Sequence, residues 1–127
     1  MELGELSGSS LSFLGDAVFT LRVREYYLEQ GYHVPRKLQT LCNRYNSARG
    51  QTKVFERLKK EDFFTEEELS VYKRGRNAIS HIPKNGDRVS YETASGLEAV
   101  CGYLYLSDKE RLEEFFRKVF EGGMENE

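Results

Sequence analysis

Apolar residues recur along this chain with the spacing of helices and nowhere with the two-residue alternation of strands. Leu11, Leu14, Val18, Leu21 and Leu28 predict a first helix that stops at Gly31. Pro35 suits the first turn of a second, predicted to run to about Leu58 with Leu38, Leu41, Tyr45, Ala48, Val54, Phe55 and Leu58 apolar. Thr65 followed by Glu68 is a capping box for a third, which carries Leu69, Tyr72 and Ile79 and ends before Pro83. Lys84 to Val89, containing Asn85-Gly86-Asp87, is expected to be a loop. A fourth helix is predicted over about Thr93 to Leu106, and Ser107 with Glu110 reads as a capping box opening a fifth over 108–121. The tail 122–127 is expected to be disordered. Together these elements predict an all-α fold, a compact helical bundle forming one domain over residues 1–127.

Two carboxylates interrupt this pattern. Asp16 lies on a line with Thr20, Val23 and Tyr27, between Phe13 and Phe19, on a first helix that is apolar on nearly every side. Such a helix is usually buried, and a carboxylate within it is unfavourable unless it is paired, hydrogen-bonded or bound to a cation. Glu98 is the only charged residue from Thr93 to Ser107, and its neighbours three and four positions away are Ala94, Ser95, Cys101 and Gly102, all small. Small neighbours leave room for a metal ion, its waters and a phosphate, and equally permit close helix packing. Taken singly, each acid is also explained as a structural group, facing solvent, capping, or pairing with Arg22 or Arg24. Taken together, two such acids point to magnesium or manganese, which take oxygen ligands. Zinc is poorly supported, because the two His and two Cys show none of its usual spacings.

Composition narrows the class. The 127 residues hold 19 Lys plus Arg against 21 Asp plus Glu, a net charge of −2, with 39% hydrophobic residues. That balance excludes both a disordered chain and an indiscriminate polycation. Cys42 and Cys101 are expected to be reduced thiols. The longest apolar stretch, Ala99 to Leu106, falls far short of the ~20 residues of a membrane span, and no export signal is read at the start, so a cytoplasmic protein without membrane contact is expected. The small net charge conceals blocks, however. Residues 36–60 carry eight basic residues against one acid, and residues 71–88 carry five against one. In the first block Arg57, Lys59 and Lys60 read as a solvated helix face, whereas Lys73 to Lys84 crowds its cations at a helix end and a loop, from which guanidinium groups reach phosphates. His81 is a lone loop histidine, expected against solvent or phosphate.

Leu11-Ser12-Phe13-Leu14-Gly15-Asp16-Ala17-Val18 resembles the signature helix of ribonuclease III catalytic domains, and Ser95 to Leu106 resembles that domain's second acidic helix. Asn46-Ser47-Ala48-Arg49-Gly50-Gln51, Arg74-Gly75-Arg76-Asn77-Ala78 and Pro83-Lys84-Asn85 extend the likeness in the expected order over about residues 6–106. More closely, the chain is similar to the short Mini-III branch, which consists of that domain without a double-stranded RNA-binding domain. This resemblance implies a homodimeric, magnesium-dependent endoribonuclease, with Mn²⁺ able to substitute and no small-molecule cofactor. Its substrate would be double-stranded RNA, cut by a metal-activated water to 5′-phosphate and 3′-hydroxyl ends, and its role the maturation of 23S ribosomal RNA precursor ends in ribosome biogenesis. It makes Asp16 and Glu98 the catalytic and metal-ligating residues. The full-length family carries further acids where this chain has Ser12 and Ser95, a reduced set that the Mini-III branch shares, and the two hydroxyls are then placed to hydrogen-bond waters around the ion. Arg74, Arg76, Asn77 and Lys84, with Arg49 and Lys53, are the expected RNA contacts. Phe13, Phe19, Tyr26 and Tyr27 are candidates for a dimer face. The alternative is a non-catalytic double-stranded RNA-binding or helical interaction protein on the same fold.

Overall fold

The structure is a computed structural model that describes residues 2–79, 81–84 and 86–122. Asn85 of the Pro83-Lys84-Asn85 motif and the tail 123–127 lie outside the described residues. After a 3₁₀ turn at Leu3–Glu5 come six helices, α1 (Gly8–Glu29), α2 (Pro35–Asn46), α3 (Ala48–Lys60), α4 (Glu66–Ala78), α5 (Arg88–Ser107) and α6 (Lys109–Phe120), with no strand among the described residues.

Local chemistry sets the helix ends, and in three places it differs from the expectation. The single helix foreseen from Pro35 to Leu58 is two, broken at Ser47. That residue is extended (φ −70°, ψ 157°), and its hydroxyl accepts from the Gly50 N–H at 3.0 Å to cap α3. Gly50 completes the corner, since a β-carbon there would sit 2.0 Å from the Arg44 carbonyl oxygen. The expected loop through Val89 ends earlier, because the Asp87 carboxylate accepts from the Val89 N–H at 3.2 Å and starts α5 at Arg88 rather than near Thr93. The cap of α6 is Asp108, accepting from the Arg111 N–H at 3.0 Å, and not Ser107, whose hydroxyl turns back to the Tyr103 carbonyl at 2.7 Å. The Thr65–Glu68 capping box of α4 is present in full, and α4 ends at Ala78 where Ile79 becomes extended.

The α1–α5 pair is the centre of the bundle, flanked by α4 and α3. Two glycines allow it: a β-carbon on Gly15 would lie 1.7 Å from the Glu98 carbonyl oxygen, and one on Gly102 would lie 2.2 Å from that of Leu11. Around this contact Leu11, Phe19, Val23, Leu97, Val100 and Leu104 are buried, and α6 closes the bundle with Leu112, Phe115, Phe116 and Val119. Each such side chain contributes roughly 1.5–3 kcal/mol. Glu68 is buried too, held by Arg111, whose guanidinium donates to both carboxylate oxygens (2.7 and 2.9 Å) and to the Phe63 carbonyl (2.7 Å). Cys42 and Cys101 are free, buried thiols, and burial pushes both upward from the ordinary cysteine range. No helix among the described residues is long and apolar enough to cross a membrane.

Helix α1 is not buried on all sides. Phe13, Ala17, Leu21, Arg24 and Leu28 form one exposed face, and Asp16 lies beside it, open to solvent. The expectation of a buried Asp16 fails because it stands at the margin of the α1–α5 contact, beside the exposed face of α1.

Candidate active site

Asp16 on α1 and Glu98 on α5 come together in one cleft of about 350 Å³, although 82 positions separate them in the chain. The Gly15–Gly102 approach brings this about, since it removes the side chains that would hold the two helices apart. Ser12, Phe13, Asn46, Ala48, Gln51, Ile79, Tyr91, Ala94 and Ser95 complete the lining. Ala94 and Ser95 therefore supply open space beside Glu98, as small neighbours can. Cys101 and Gly102 do not line the cleft: Cys101 is fully buried, and Gly102 lies against Leu11 and Gly15 of α1.

The two acids form a coupled pair. Burial raises Glu98, and the Asp16 carboxyl raises it further by hydrogen bonding and by charge repulsion, up to about 8; donation from Gln51 opposes this only in part. Gln51 Nε2 lies 3.2 Å from Glu98 Oε2. Near neutral pH the pair therefore retains a proton that an ordinary glutamate would have lost, unless another cation takes the proton's place. Neither arginine suggested as a structural partner reaches this cleft. Arg22 makes a two-pronged bond to Glu113 (2.7 and 2.8 Å) and lies over the Phe116 ring, while Arg24 borders a separate hollow with Leu28, Pro35 and Cys42.

The site fits a divalent cation on these observations. It offers hard oxygen donors, the acids repel one another in its absence, and two shielded amide oxygens on its walls, Asn46 Oδ1 and Gln51 Oε1, lack hydrogen-bond partners among the described residues. Among the described residues no three His, Cys, Asp or Glu side chains come together as a metal-holding group, so the cleft's carboxylates number two. Ser12 and Ser95 stand at the cleft with their protons committed. Ser12 Oγ donates to the Ser95 carbonyl at 2.6 Å, Ser95 Oγ donates to the Gly75 carbonyl at 2.9 Å, and the hydroxyls are 3.1 Å apart. Their lone pairs still accept, which suits the donating character of water around a cation.

The basic candidates lie at the margins. Arg74 donates to the Leu6 carbonyl, so part of its guanidinium ties the N-terminal turn to α4. Arg76 donates to Asn77 Oδ1 at 3.4 Å and lies 5.8 Å from the centre of the Tyr72 ring. From there the chain passes Ile79, a cleft wall, to exposed His81 and Lys84. Arg49 is exposed in a neighbouring hollow with Arg44, Asn43 and Thr40, and Lys53 on α3 is half-buried. Of the four aromatics considered for a dimer face, Phe19 and Tyr27 are buried and Tyr26 stacks on Phe120 at 4.1 Å. Only Phe13, 84% exposed at the cleft rim, remains available.

Reading the chain for isolated acids missed Gln51 and Asn46 as site residues. The signal was present: Gln51 is a polar side chain in the same helical register as the core residues Val54, Phe55 and Leu58.

Comparison with known proteins identifies the family. Residues 9–109 match the ribonuclease III domain family. Among curated relatives, the Mini-ribonuclease 3 of Enterococcus faecalis is 40% identical over 112 residues, covering 87% of this chain and 85% of the relative. That of Brevibacillus brevis is 44% identical over 112 residues, covering 87% and 82%. A crystal structure of a Fusobacterium nucleatum protein superposes with a TM-score of 0.82 at 30% identity, over 94% of this chain and 98% of that one. Members of the family are nucleases that generally need a divalent metal. With its two acids in one cleft and this match along most of its length, the chain belongs to the ribonuclease III family, alongside the Mini-ribonuclease 3 proteins, and is an endoribonuclease of that type.

Proposed function

We propose that this endoribonuclease is magnesium-dependent, acts as a homodimer on double-stranded RNA and leaves 5′-phosphate and 3′-hydroxyl ends. We further assign it, in the bacterial cytoplasm, to the maturation of 23S ribosomal RNA precursor stems. The observation that carries the reading is the Asp16–Glu98 pair in an open cleft, contributed by the two segments of the sequence that resemble the family's acidic helices.

The roles follow from the side chains. Asp16 and Glu98 hold the cation, with Mn²⁺ able to replace Mg²⁺. The ion, when bound, polarises the scissile phosphate and lowers the pKa of an attacking water, so the reaction needs no protein nucleophile. Ser12 and Ser95 accept hydrogen bonds from water at the cleft wall. Arg76, Asn77 and Lys84, with the free donors of Arg74 and with Arg49 and Lys53, meet phosphates and 2′-hydroxyls along the duplex, which is read by shape more than by base. A two-fold partner doubles this surface, and exposed Phe13 beside the cleft is the apolar group best placed to meet it.

The test is a choice of substrate. Purified protein is incubated with a long RNA duplex, or with either strand alone, in Mg²⁺ or in EDTA, and the product ends are mapped. Cutting of the duplex in Mg²⁺ only, with 5′-phosphate ends, is the expected result. Equal cutting of single strands, or cutting in EDTA, contradicts the reading.

A further inference from the structure

The side chain of Gln51 occupies a core position without being a core residue. It is 1% exposed and shares its face of α3 with Val54, Phe55 and Leu58, where an apolar side chain would add to the packing. Instead its Nε2 crosses to Glu98 Oε2 at 3.2 Å, and its Oε1 is left without a partner among the described residues, an unfavourable state for a shielded carbonyl. Such an arrangement persists when the polar group serves the site it borders.

The type of residue is informative as well. A lysine or arginine at this position would also bind Glu98, but it would neutralise the carboxylate and compete with a metal ion. An amide N–H donates to one oxygen and leaves the negative charge in place. It fixes the direction of the carboxylate while keeping it usable as a ligand, as partners of metal ligands commonly do. Asn46, whose Oδ1 is likewise unpartnered on the same cleft, adds a second amide to that wall.

We propose that Gln51 is a positioning residue of the acidic cleft: its amide orients the Glu98 carboxylate from α3 so that Glu98 and Asp16 together receive a divalent cation. The inference rests on the reading that those two acids hold the cation.

Its test is Mn²⁺ binding by the full chain without RNA, followed through the electron paramagnetic resonance signal of free Mn²⁺, with thermal unfolding measured in parallel. Gln51→Leu is expected to weaken Mn²⁺ binding by roughly tenfold or more, with Tm unchanged or raised because the unpartnered carbonyl is gone. Gln51→Met, unbranched and close in volume, stands in if the leucine variant does not fold. A folded variant that binds Mn²⁺ as tightly as the wild type overturns the proposal. Failure of both variants to fold also overturns it, by assigning Gln51 to the core. Asp16→Asn and Glu98→Gln separate the two levels. If they lose Mn²⁺ while the Gln51 variants keep it, only the role of Gln51 falls; if they bind it as the wild type does, or the wild type binds none, the reading of the acids falls too.

Discussion

At the scale of single residues, two acids drawn away from solvent, buried Glu68 and half-buried Glu98, meet opposite surroundings. Glu68 is fully satisfied, since Arg111 covers both carboxylate oxygens and also holds the Phe63 carbonyl between α4 and α6. Removing Glu68 leaves the Arg111 guanidinium with only the Phe63 carbonyl and the exposed Glu114 and takes away half of the α4 capping box, so Glu68→Ala is expected to lower stability by about 3 kcal/mol in urea unfolding. A loss within the noise of a surface mutation would place that pair outside the core energetics. Glu98 is the opposite case, an acid whose surroundings resist its ionisation. Burial and Asp16 push it up to about 8, whereas an unfolded glutamate titrates near 4.5. Between these values the folded chain binds the extra proton, so in metal-free buffer stability falls as pH rises through that window. Relative to Glu98→Gln, the wild type is expected to lose on the order of 1–2 kcal/mol across it, discounted for the cleft's access to solvent. Parallel pH profiles of Tm for the two proteins would contradict this. Both acids of the cleft were legible in the sequence as charges interrupting apolar helices. Gln51 was not, because an uncharged amide disturbs a hydrophobic pattern far less than a carboxylate does.

At the scale of helices, close approach matters more than helix propensity. The acidic cleft exists because α1 and α5 touch backbone to backbone at Gly15 and Gly102. Gly15→Ala would place a β-carbon on the Glu98 carbonyl and force α1 away from α5, moving Asp16 relative to Glu98. We expect a stability loss of about 3 kcal/mol or less from overpacking and, because a shift of about 1 Å in reacting groups can cost ~100-fold, a much larger proportional loss of cleavage. Unfolding and single-turnover cleavage measured on the same variant check both, and an active Gly15→Ala protein would contradict this account of the glycine. Helices were legible where their apolar periodicity is strong, and the Thr65–Glu68 box was readable from residue types alone. The ends that misled share one feature, a polar side chain that caps a helix where apolar periodicity shows no end. Ser47 breaks what periodicity reads as one helix, and Asp108 displaces Ser107 as the cap of α6, since each choice depends on backbone angles that a residue pattern does not contain. Asp16 was misjudged as buried for a different reason: the exposed apolar face of α1, with Phe13, Leu21 and Leu28, looks identical to a core face until its neighbours are placed.

At the scale of the whole molecule, a net charge of −2 is compatible with an RNA substrate because cations and acids are segregated. Arg76 lies in the last turn of α4, three positions before the cleft-wall residue Ile79, while Glu66 and Glu67 lie in the first turn of that helix. The proposed two-fold partner gives Phe13 a reason to be exposed. Phe13→Asp is expected to convert a dimer into a monomer by light scattering while leaving the helical circular dichroism intact, and an unchanged mass would move the interface elsewhere. All of these readings depend on the acids that α1 and α5 bring together. The most direct measurement is single-turnover cleavage of a long RNA duplex in Mg²⁺ by the wild type, Asp16→Asn and Glu98→Gln, each verified as folded. Because a cation held by these acids would supply several kcal/mol of transition-state stabilisation, each variant is expected to cut at least about 100-fold more slowly than an active wild type. Cleavage by both variants at the wild-type rate would contradict the assignment of Asp16 and Glu98 as the catalytic centre.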